Sequence, residues 1–382
     1  MRVLFDYQCF QMQKFGGVSN SYVQLIMQLY KLGVDVCIGM KDTRNFHLIR
    51  VGLVSKQSNF KRIASGLMSR VGKSMDNIPW KVALDSSKYN RQFSVDLLEK
   101  QDFDVFEPTF FDPYFIPYLK GKPFVITIHD MIMERFPGMH IDDLQQERKK
   151  LICSKATMLH CPSENTKKDI MELYGLDPNM IEVIYHGAPE RIQFETKPIV
   201  DVPYILYVGD RRLYKNFVPF VKECAKLFEI YPELHLVCTG APFSNTECKL
   251  LTSLHIEKKV HHQRGSDKKM ANLYYNAVAF VYPSLYEGFG LPILEAFTYN
   301  CPVLLTPYSC FPEIAGDAAL YFEMKDSKSD FVDVFRQLYT MAEEDRSRLL
   351  AKGNERLKRF SWEQSAKKLV DIYENSIINS NN

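Results

Sequence analysis

Short apolar runs alternate with amphipathic stretches along the whole 382-residue chain. Short apolar runs bounded by turn residues are typical of buried strands, and apolar positions spaced three or four apart are typical of helices. Strands are predicted at Arg2–Tyr7, Asp104–Thr109, Pro123–Ile128, Met158–Cys161, Ile181–Tyr185, Tyr204–Val208, His235–Thr239, Val260–His262, Ala279–Pro283, Val303–Pro307 and Leu320–Phe322. This alternation predicts an α/β fold whose parallel sheets carry helices on both faces.

Several loops that follow predicted strands contain residues suited to ligand binding. A loop with Gly16 and Gly17 follows the first strand and precedes a helix predicted at Ser21–Leu32, and His129-Asp130 ends a later strand. Ligands bind open α/β sheets at the carboxyl ends of the strands. The glycine pair could equally be a flexible turn, and a single histidine is more often structural than catalytic.

The length of the chain exceeds what one ordinary hydrophobic core organises, so two domains are predicted. We place the first at residues 1–190 and the second at residues 204–360. Residues 191–203 between them have mixed polarity and contain two prolines, Pro198 and Pro203, as expected of a linker.

Composition excludes several classes of protein. The chain is 46% hydrophobic and 25% charged, as in ordinary globular proteins, and its net charge of +2 gives no nucleic-acid signal. Its nine cysteines include no C-x-x-C pair, which favours reduced thiols over disulfides or a zinc site. Without a signal-peptide pattern or a membrane-length apolar run, the expected location is the cytoplasm.

Residues 43–75 contain seven arginines and lysines but no aspartate or glutamate. Phe60, Ile63, Leu67 and Val71 recur at helical spacing within this segment. A basic amphipathic helix can lie on an anionic membrane, where each basic residue contributes about 1 kcal/mol. An ordinary helix docked on the first domain is the alternative.

The most informative stretch is Ser284–Ala296, where a buried strand leads through two glycines into a helix. Gly288 and Gly290 let the backbone approach a ligand closely, and the N–H groups of the helix N-terminus attract anions. Glu287 and Glu295 flank this phosphate-sized site with carboxylates, which favour hydroxyl groups. A diphosphate between two polyols meets both demands, and that ligand is a nucleotide sugar.

The spacing of the two glutamates resembles the E-x7-E motif of retaining glycosyltransferases of family 4, the group 1 glycosyl transferases. The resemblance continues through Cys301-Pro302-Val303 and Pro312–Ala319. It implies the GT-B fold, with two Rossmann-like, doubly wound parallel-sheet domains facing a central cleft. Residues 1–190 would then bind the acceptor, residues 204–360 would bind the nucleotide sugar, and residues 361–382 would form a helix crossing back to the first domain.

The resemblance also implies roles for individual residues. In the loop Gly209–Asn216, Arg211 and Lys215 would hold the diphosphate, with Arg212 as the substitute for Arg211. Glu295 would bind the ribose, and Glu287 the donor sugar. His129 would face the donor sugar and the acceptor hydroxyl from across the cleft. Further donor-binding positions are Gly16, Gly17, Arg264, Gly265, Gly288, Phe289, Gly290 and Leu291. Glu107 stands where histidine is expected, so no acceptor role is assigned to it.

The predicted reaction moves a hexose-type sugar from a nucleotide-diphosphate sugar to a glycan or lipid-linked acceptor, with retention of configuration, in surface polysaccharide biosynthesis. No cofactor is expected. Metal-independent transfer is predicted because neither domain has an Asp-x-Asp at a loop of this kind. The alternatives are a nucleotide-sugar hydrolase or epimerase, a phosphorylase, and an inactive sugar-nucleotide-binding subunit.

Overall fold

The computed structural model describes residues 1–54, 80–138 and 143–380. The strands of the first domain form two three-stranded parallel sheets, ordered β2-β1-β3 and β4-β5-β6, and a parallel bridge between Phe106 and Phe124 joins them edge to edge. These strands are β1 Arg2–Phe5, β2 Asp35–Ile38, β3 Val105–Glu107, β4 Val125–Thr127, β5 Met158–Cys161 and β6 Ile181–Val183.

The second domain has a six-stranded parallel sheet in the order β9-β8-β7-β10-β11-β12, followed by a small β13-β14 hairpin. Its strands are β7 Tyr204–Tyr207, β8 His235–Cys238, β9 Val260–His262, β10 Ala279–Tyr282, β11 Val303–Leu305, β12 Leu320–Tyr321, β13 Met324–Lys325 and β14 Lys328–Ser329. This order is that of a Rossmann sheet, which changes winding direction between its first and fourth strands. The change occurs here between β7 and β10.

Helices connect the strands throughout. Those described in the first domain are α1 Gln8–Met12, α2 Gly17–Lys31, α3 Phe46–Arg50, α4 Trp80–Lys100, α5 Ile132–Arg135, α6 Asp143–Lys155 and α7 Glu164–Tyr174. Those of the second half are α8 Phe217–Ile230, α9 Asn245–Ser253, α10 Asp267–Asn276, α11 Leu291–Thr298, α12 Phe311–Ala315, α13 Phe331–Tyr339, α14 Glu343–Leu357 and α15 Trp362–Ser380. No helix in the described residues combines the length and the apolarity needed to cross a bilayer.

Strand β7 shows why the strands of the second sheet have continuous apolar sequences. Tyr204 and Leu206 lie in one buried cluster, whereas Ile205 and Tyr207 lie in another. Successive side chains of a strand point to opposite faces of the sheet. Both faces are therefore covered by helices, as expected of a parallel sheet.

Most predicted elements are found within one or two residues of their expected ends. Strands β5 and β9 have the predicted bounds. The predicted start of α2 at Ser21 is wrong, because the helix begins at Gly17 after an extended Gly16. The side-chain oxygen of Gln13 accepts the Ser19 amide at 3.1 Å, which satisfies an N–H group of the first helical turn. Of the basic segment, residues 55–75 lie outside the described residues.

The C-terminal helix α15 packs on the first domain. Leu369, Ile372 and Tyr373 are buried in the core of that domain. The Tyr373 hydroxyl is hydrogen-bonded to the carboxylate of Glu107, whose other oxygen accepts from Thr127 at 3.0 Å. Glu107 therefore lies at the centre of a buried polar network that fixes α15 to the sheet.

The chain passes between the two domains twice, once after β6 and once before α15, and the two passages lie side by side. The Ala188 amide donates to the Phe360 carbonyl at 3.0 Å, and the Ser365 hydroxyl donates to the Tyr185 carbonyl at 2.5 Å. Between them the buried His186 ring stacks on Trp362, with ring centroids 5.4 Å apart. These contacts form the hinge between the domains.

The buried hinge histidine should make stability depend on pH. Burial, with a smaller effect of His160, lowers the pKa of His186 to about 3. The unfolded chain, with an ordinary histidine pKa of about 6.5, binds this proton first. The contribution of the uncharged His186 to the free energy of unfolding is thus fully present above about pH 6.5 and is lost as the pH falls. We expect His186→Phe, which keeps an aromatic ring but cannot titrate, to remove about 2 kcal/mol of the stability loss between pH 7.5 and pH 5.

Denaturant unfolding of both proteins at the two pH values measures this difference. The comparison reports mainly on His186, because the other titrating groups are shared and the pKa of His129, which His186 also lowers, is depressed chiefly by burial. Equal losses in the two proteins would show that the histidine is not held neutral at the hinge.

Candidate functional site

The two residues that meet at the switch point of the second sheet are Lys215 and Glu287. Lys215 ends the short 3₁₀ turn Leu213–Lys215 after β7, and Glu287 follows β10. The Lys215 Nζ atom lies 2.6 Å from Glu287 Oε1 and 3.3 Å from the Tyr282 hydroxyl. Both charged residues are more than nine-tenths buried. A buried ion pair is therefore located where open α/β sheets bind ligands.

The loop after β11 holds the backbone of Glu287 in place. The Ser309 hydroxyl donates to the Glu287 carbonyl at 2.7 Å, and the Glu287 amide lies 3.2 Å from the same hydroxyl oxygen. Further along, Gly290 has a φ of 92° and immediately precedes α11. This left-handed conformation favours glycine, and it sets the direction in which α11 begins.

At Gly288 the backbone of the second domain lies directly against the first. A Cβ atom on this residue would lie 1.9 Å from the His129 carbonyl oxygen. The Gly288 carbonyl accepts hydrogen bonds from Ser163 at 2.7 Å and Thr166 at 3.3 Å. The glycine turn is packed against the other wall of the cleft, and no larger residue fits there.

Glu295 lies in the first turns of α11, on the same edge of the sheet. Its carboxylate accepts a hydrogen bond from the Tyr274 hydroxyl at 2.8 Å. Burial raises the pKa of Glu295, and the bond from Tyr274 opposes this rise. Tyr274 therefore orients a carboxylate that can accept further hydrogen bonds from hydroxyl groups.

His129 lies on the wall of the first domain and is uncharged. Its ring packs edge-on against Tyr22 at 5.3 Å. Burial, with the nearby His186 and His160, lowers the pKa of His129 well below its ordinary value. Its Nε2 atom is buried and lacks a hydrogen-bond partner among the described residues. Such an atom can form one hydrogen bond to a ligand in the cleft.

The structure does not place Arg211 with the Lys215–Glu287 pair. Its guanidinium donates to the Glu247 carboxylate at 2.5 Å and to two carbonyl oxygens at 2.7 and 2.9 Å. It also lies over the rings of Phe217 and Phe243, 5.6 and 4.8 Å from their centroids. Glu247 itself belongs to the capping box of α9. In this structure Arg211 thus anchors that helix, and its role at the diphosphate stays a prediction.

Arg212, the alternative cation of this loop, is accessible instead. Its side chain is 58% exposed and donates to the Asp210 carboxylate of its own loop, at 2.6 and 2.8 Å. Burial lowers the pKa of Arg212, but the hydrogen bond to Asp210, with smaller contributions from Tyr214 and Asp130, raises it above its ordinary value. Arg212 is therefore a charged and accessible cation of this loop.

The remaining predicted positions lie in or next to strand-to-helix loops of the two domains. Gly16 and Gly17 begin α2 at the carboxyl edge of the first sheet. Arg264 and Gly265 are exposed just before α10. Phe289 is buried with Tyr185, His186 and Phe360, so only its backbone is free to serve a ligand. Leu291 is the first residue of α11.

Both halves of the chain match known families. The family described as Glycosyltransferase Family 4 matches residues 15–191, and the one described as Glycosyl transferases group 1 matches residues 189–356. The O-antigen chain mannosyltransferase B of Escherichia coli is 36% identical over 303 residues, covering 72% of this chain and 75% of that protein. The chain belongs to glycosyltransferase family 4.

A second relative is the O-antigen chain mannosyltransferase RfbU of Salmonella typhimurium, 29% identical over 218 residues. That match covers 56% of this chain and 60% of the length of RfbU.

Solved structures confirm the predicted GT-B fold. A glycosyltransferase from Rickettsia africae superposes with a TM-score of 0.69 at 16% identity, covering 99% of this chain and 98% of that one. Anabaena HepE, solved in complex with UDP and glucose, superposes with a TM-score of 0.70 at 12% identity, covering 98% and 100%.

Sequence reasoning missed two residues of this family 4 site. Tyr282 contacts Lys215, and Ser309 fixes the Glu287 backbone. Tyr282 ends a strand of the second sheet and Ser309 follows one, so their position at its carboxyl edge was the available signal.

Proposed function

We propose that this protein is a glycosyltransferase that moves a hexose-type sugar from a nucleotide-diphosphate sugar to a glycan or lipid-linked acceptor, with retention of configuration and without a metal ion. The observation that carries the proposal is the buried Lys215–Glu287 pair, 2.6 Å apart, at the switch point of a family 4 chain. The cation can bind a phosphate, and the carboxylate beside it can accept hydrogen bonds from the hydroxyl groups of a sugar joined to that phosphate.

The main task of the site would be to stabilise the departing diphosphate. A helix N-terminus such as that of α11 contributes roughly 0.3–1 kcal/mol, whereas enzymes lower barriers by about 8 kcal/mol or more. Lys215 and Arg212 would add charge-assisted hydrogen bonds, which are roughly twice as strong as neutral ones. Burial of Lys215 keeps water from weakening its contribution.

The carboxylates and the histidine would select the sugars. Glu295, oriented by Tyr274, would accept hydrogen bonds from the ribose hydroxyls, and Glu287 would accept them from the donor sugar. His129, being uncharged, would form one hydrogen bond near the anomeric carbon without competing for the phosphate.

Transfer with retention requires the acceptor oxygen to bond to the anomeric carbon on the face that the diphosphate leaves. The anomeric carbon–phosphate oxygen bond breaks as the new bond forms, and the acceptor proton passes to the leaving phosphate oxygen. No protein base is needed in this scheme, because the leaving phosphate oxygen itself takes the proton.

The names of the relatives support a narrower donor and acceptor. Two of them are O-antigen chain mannosyltransferases. We therefore extend the proposal to a mannosyl donor as the first to test, and to an acceptor that is a growing surface glycan.

The test is transfer by the purified chain from a panel of GDP-, UDP-, ADP-, CDP- and TDP-sugars to lipid-linked mono- and disaccharides. We expect one donor to give a new glycoside with the anomeric configuration of the donor, measured by NMR, and equal rates with and without EDTA. Free sugar without glycoside would identify a hydrolase instead. Inverted product, or activity lost in EDTA and restored by magnesium or manganese, would contradict the corresponding part of the proposal.

We further propose that the basic face of the first domain rests on an anionic membrane that carries the acceptor. In the described part of the segment 43–75, Arg44 and Arg50 are exposed. Phe15 and Phe46 are 59% and 39% exposed, with ring centroids 5.1 Å apart. Exposed aromatic rings beside cations are typical of surfaces that contact lipid headgroups.

Substituting both aromatic residues, Phe15→Ser with Phe46→Ser, should therefore weaken binding to vesicles rich in anionic lipid at least fivefold, as measured by co-sedimentation at low salt. Ile230→Ser is the matched control, because this residue is 47% exposed on the second domain. Equal binding of both variants and the wild type would exclude this surface as the contact.

A further inference from the structure

Tyr286 belongs to the second domain but is buried in the core of the first. Its side chain is 7% exposed and lies in the apolar cluster built by strands β1 to β6. The ring packs edge-on against Phe136, with centroids 6.2 Å apart. Tyr286 directly precedes Glu287 in the sequence, so the residue that enters the first domain is joined to the residue that faces the donor.

The hydroxyl of Tyr286 has specific partners at the bottom of this pocket. It donates to Asp169 Oδ2 at 2.5 Å and accepts the Met131 amide at 3.3 Å. Asp169 is 5% exposed, and its other oxygen accepts from the Arg135 guanidinium. Met131 lies two residues after His129, so the hydroxyl also contacts the loop that carries the histidine.

The residues around Glu287 are fastened to the same helix of the first domain. The Gly288 carbonyl accepts from Ser163, the N-cap residue of α7, at 2.7 Å. The carboxylate of Glu313, from the second domain, accepts the backbone amides of Glu164 at 2.8 Å and Asn165 at 3.3 Å. A carboxylate at these amides satisfies the free donors of the helix N-terminus and interacts favourably with its dipole.

We propose that Tyr286 is a positioning residue whose hydroxyl latches the second domain to the first, so that closure of the cleft sets the Glu287 carboxylate opposite His129. The inference rests on the proposed function, because it assigns a role in that reaction. The latch acts through the peptide linking Tyr286 to Glu287 and through Met131 on the other wall. It touches neither Lys215 nor Glu295.

Because the latch does not touch Lys215 or Glu295, its loss should lower kcat without weakening binding of the nucleoside diphosphate. Tyr286→Phe keeps the ring in its pocket and removes only the hydroxyl. Asp169 retains Arg135, so no carboxylate is left without a partner. Binding of the nucleoside diphosphate, which would use Lys215 and Glu295, should change less than threefold. The kcat value should fall about tenfold, since a hydrogen bond to a charged group is worth roughly a factor of ten in an equilibrium.

The experiment compares wild type, Tyr286→Phe and the control Tyr339→Phe. The Tyr339 hydroxyl also donates to a carboxylate, that of Glu233 at 3.1 Å, but within the second domain. For each protein, kcat, the Kd of the nucleoside diphosphate and amide hydrogen exchange at Met131 are measured. We expect only Tyr286→Phe to lose turnover and to exchange the Met131 amide at least tenfold faster.

Glu313→Gln provides a second route if Tyr286→Phe does not fold, because it loosens the same contact from the end of α7. It should likewise lower kcat with little change in Kd. If both variants transfer sugar as fast as the wild type, the latch is wrong but the proposed function stands. A wild type that neither binds a nucleoside diphosphate nor transfers sugar would overturn the proposed function, and the inference with it.

Discussion

Replacing Lys215 by methionine should lower kcat by about 10²–10³, the usual cost of removing one group that stabilises charge in the transition state. Lys215 is the buried cation at the switch point, 2.6 Å from Glu287, and methionine fills similar space without the charge. Initial rates at saturating donor measure the effect. Loss confined to KM would mean that the ammonium binds the donor without favouring its departure.

The same substitution should also destabilise the protein, and a double variant separates the two effects. Lys215→Met leaves the Glu287 carboxylate buried without its partner, which typically costs about 3–5 kcal/mol. Lys215→Met with Glu287→Leu replaces the pair by apolar groups, which is often neutral or stabilising. We expect the double variant to regain stability in denaturant unfolding but not activity. Recovery of activity would show that the pair serves the fold alone.

Gly288→Ala should have the second large effect, because it acts on closure of the cleft. The added Cβ would lie 1.9 Å from the His129 carbonyl oxygen, far inside contact distance. Backbone atoms cannot move aside as a flexible side chain can, so the domains must separate. We expect at least a hundredfold loss of turnover and a larger radius of gyration by small-angle scattering.

Gly33→Ala is the matched control for that variant. Gly33 has a φ of 80°, so alanine there is strained by about 1–2 kcal/mol, but the site for its Cβ is open. This variant should lose stability and keep its turnover and radius of gyration. Similar turnover in Gly288→Ala and wild type would mean that the domains need not touch at this point.

The local features of the fold and of the site were predictable from sequence. The glycine turn with Glu287 and Glu295 is set by residues close in the chain, and the apolar runs predicted nearly every strand. That Lys215 and Glu287 lie on one edge also followed, because each comes directly after a predicted strand. Their contact did not follow, since it depends on β7 pairing with β10 across more than seventy residues.

The side-chain orientations of Arg211 and Arg212 could not be predicted from sequence. The two are adjacent and chemically identical, so spacing alone favoured Arg211. Its orientation is decided by Glu247, thirty-six residues further on, and by Phe217 of α8 and Phe243 of the loop after β8. The role of Tyr286 could not be recognised from sequence for a similar reason, because its partner Asp169 belongs to the other domain. Such contacts arise from packing between elements that are far apart in sequence.

The most direct test of the central claim is the binding of nucleoside diphosphates to the wild type and to the double variant with Lys215→Met and Glu287→Leu. UDP, GDP, ADP, CDP and TDP are each added in a thermal-unfolding assay. One of them should stabilise the wild type, by about 2.7 kcal/mol at a hundred times its Kd, and should stabilise the double variant far less. Equal stabilisation of both proteins, or no response of the wild type to any of the five, would contradict a diphosphate site at this pair.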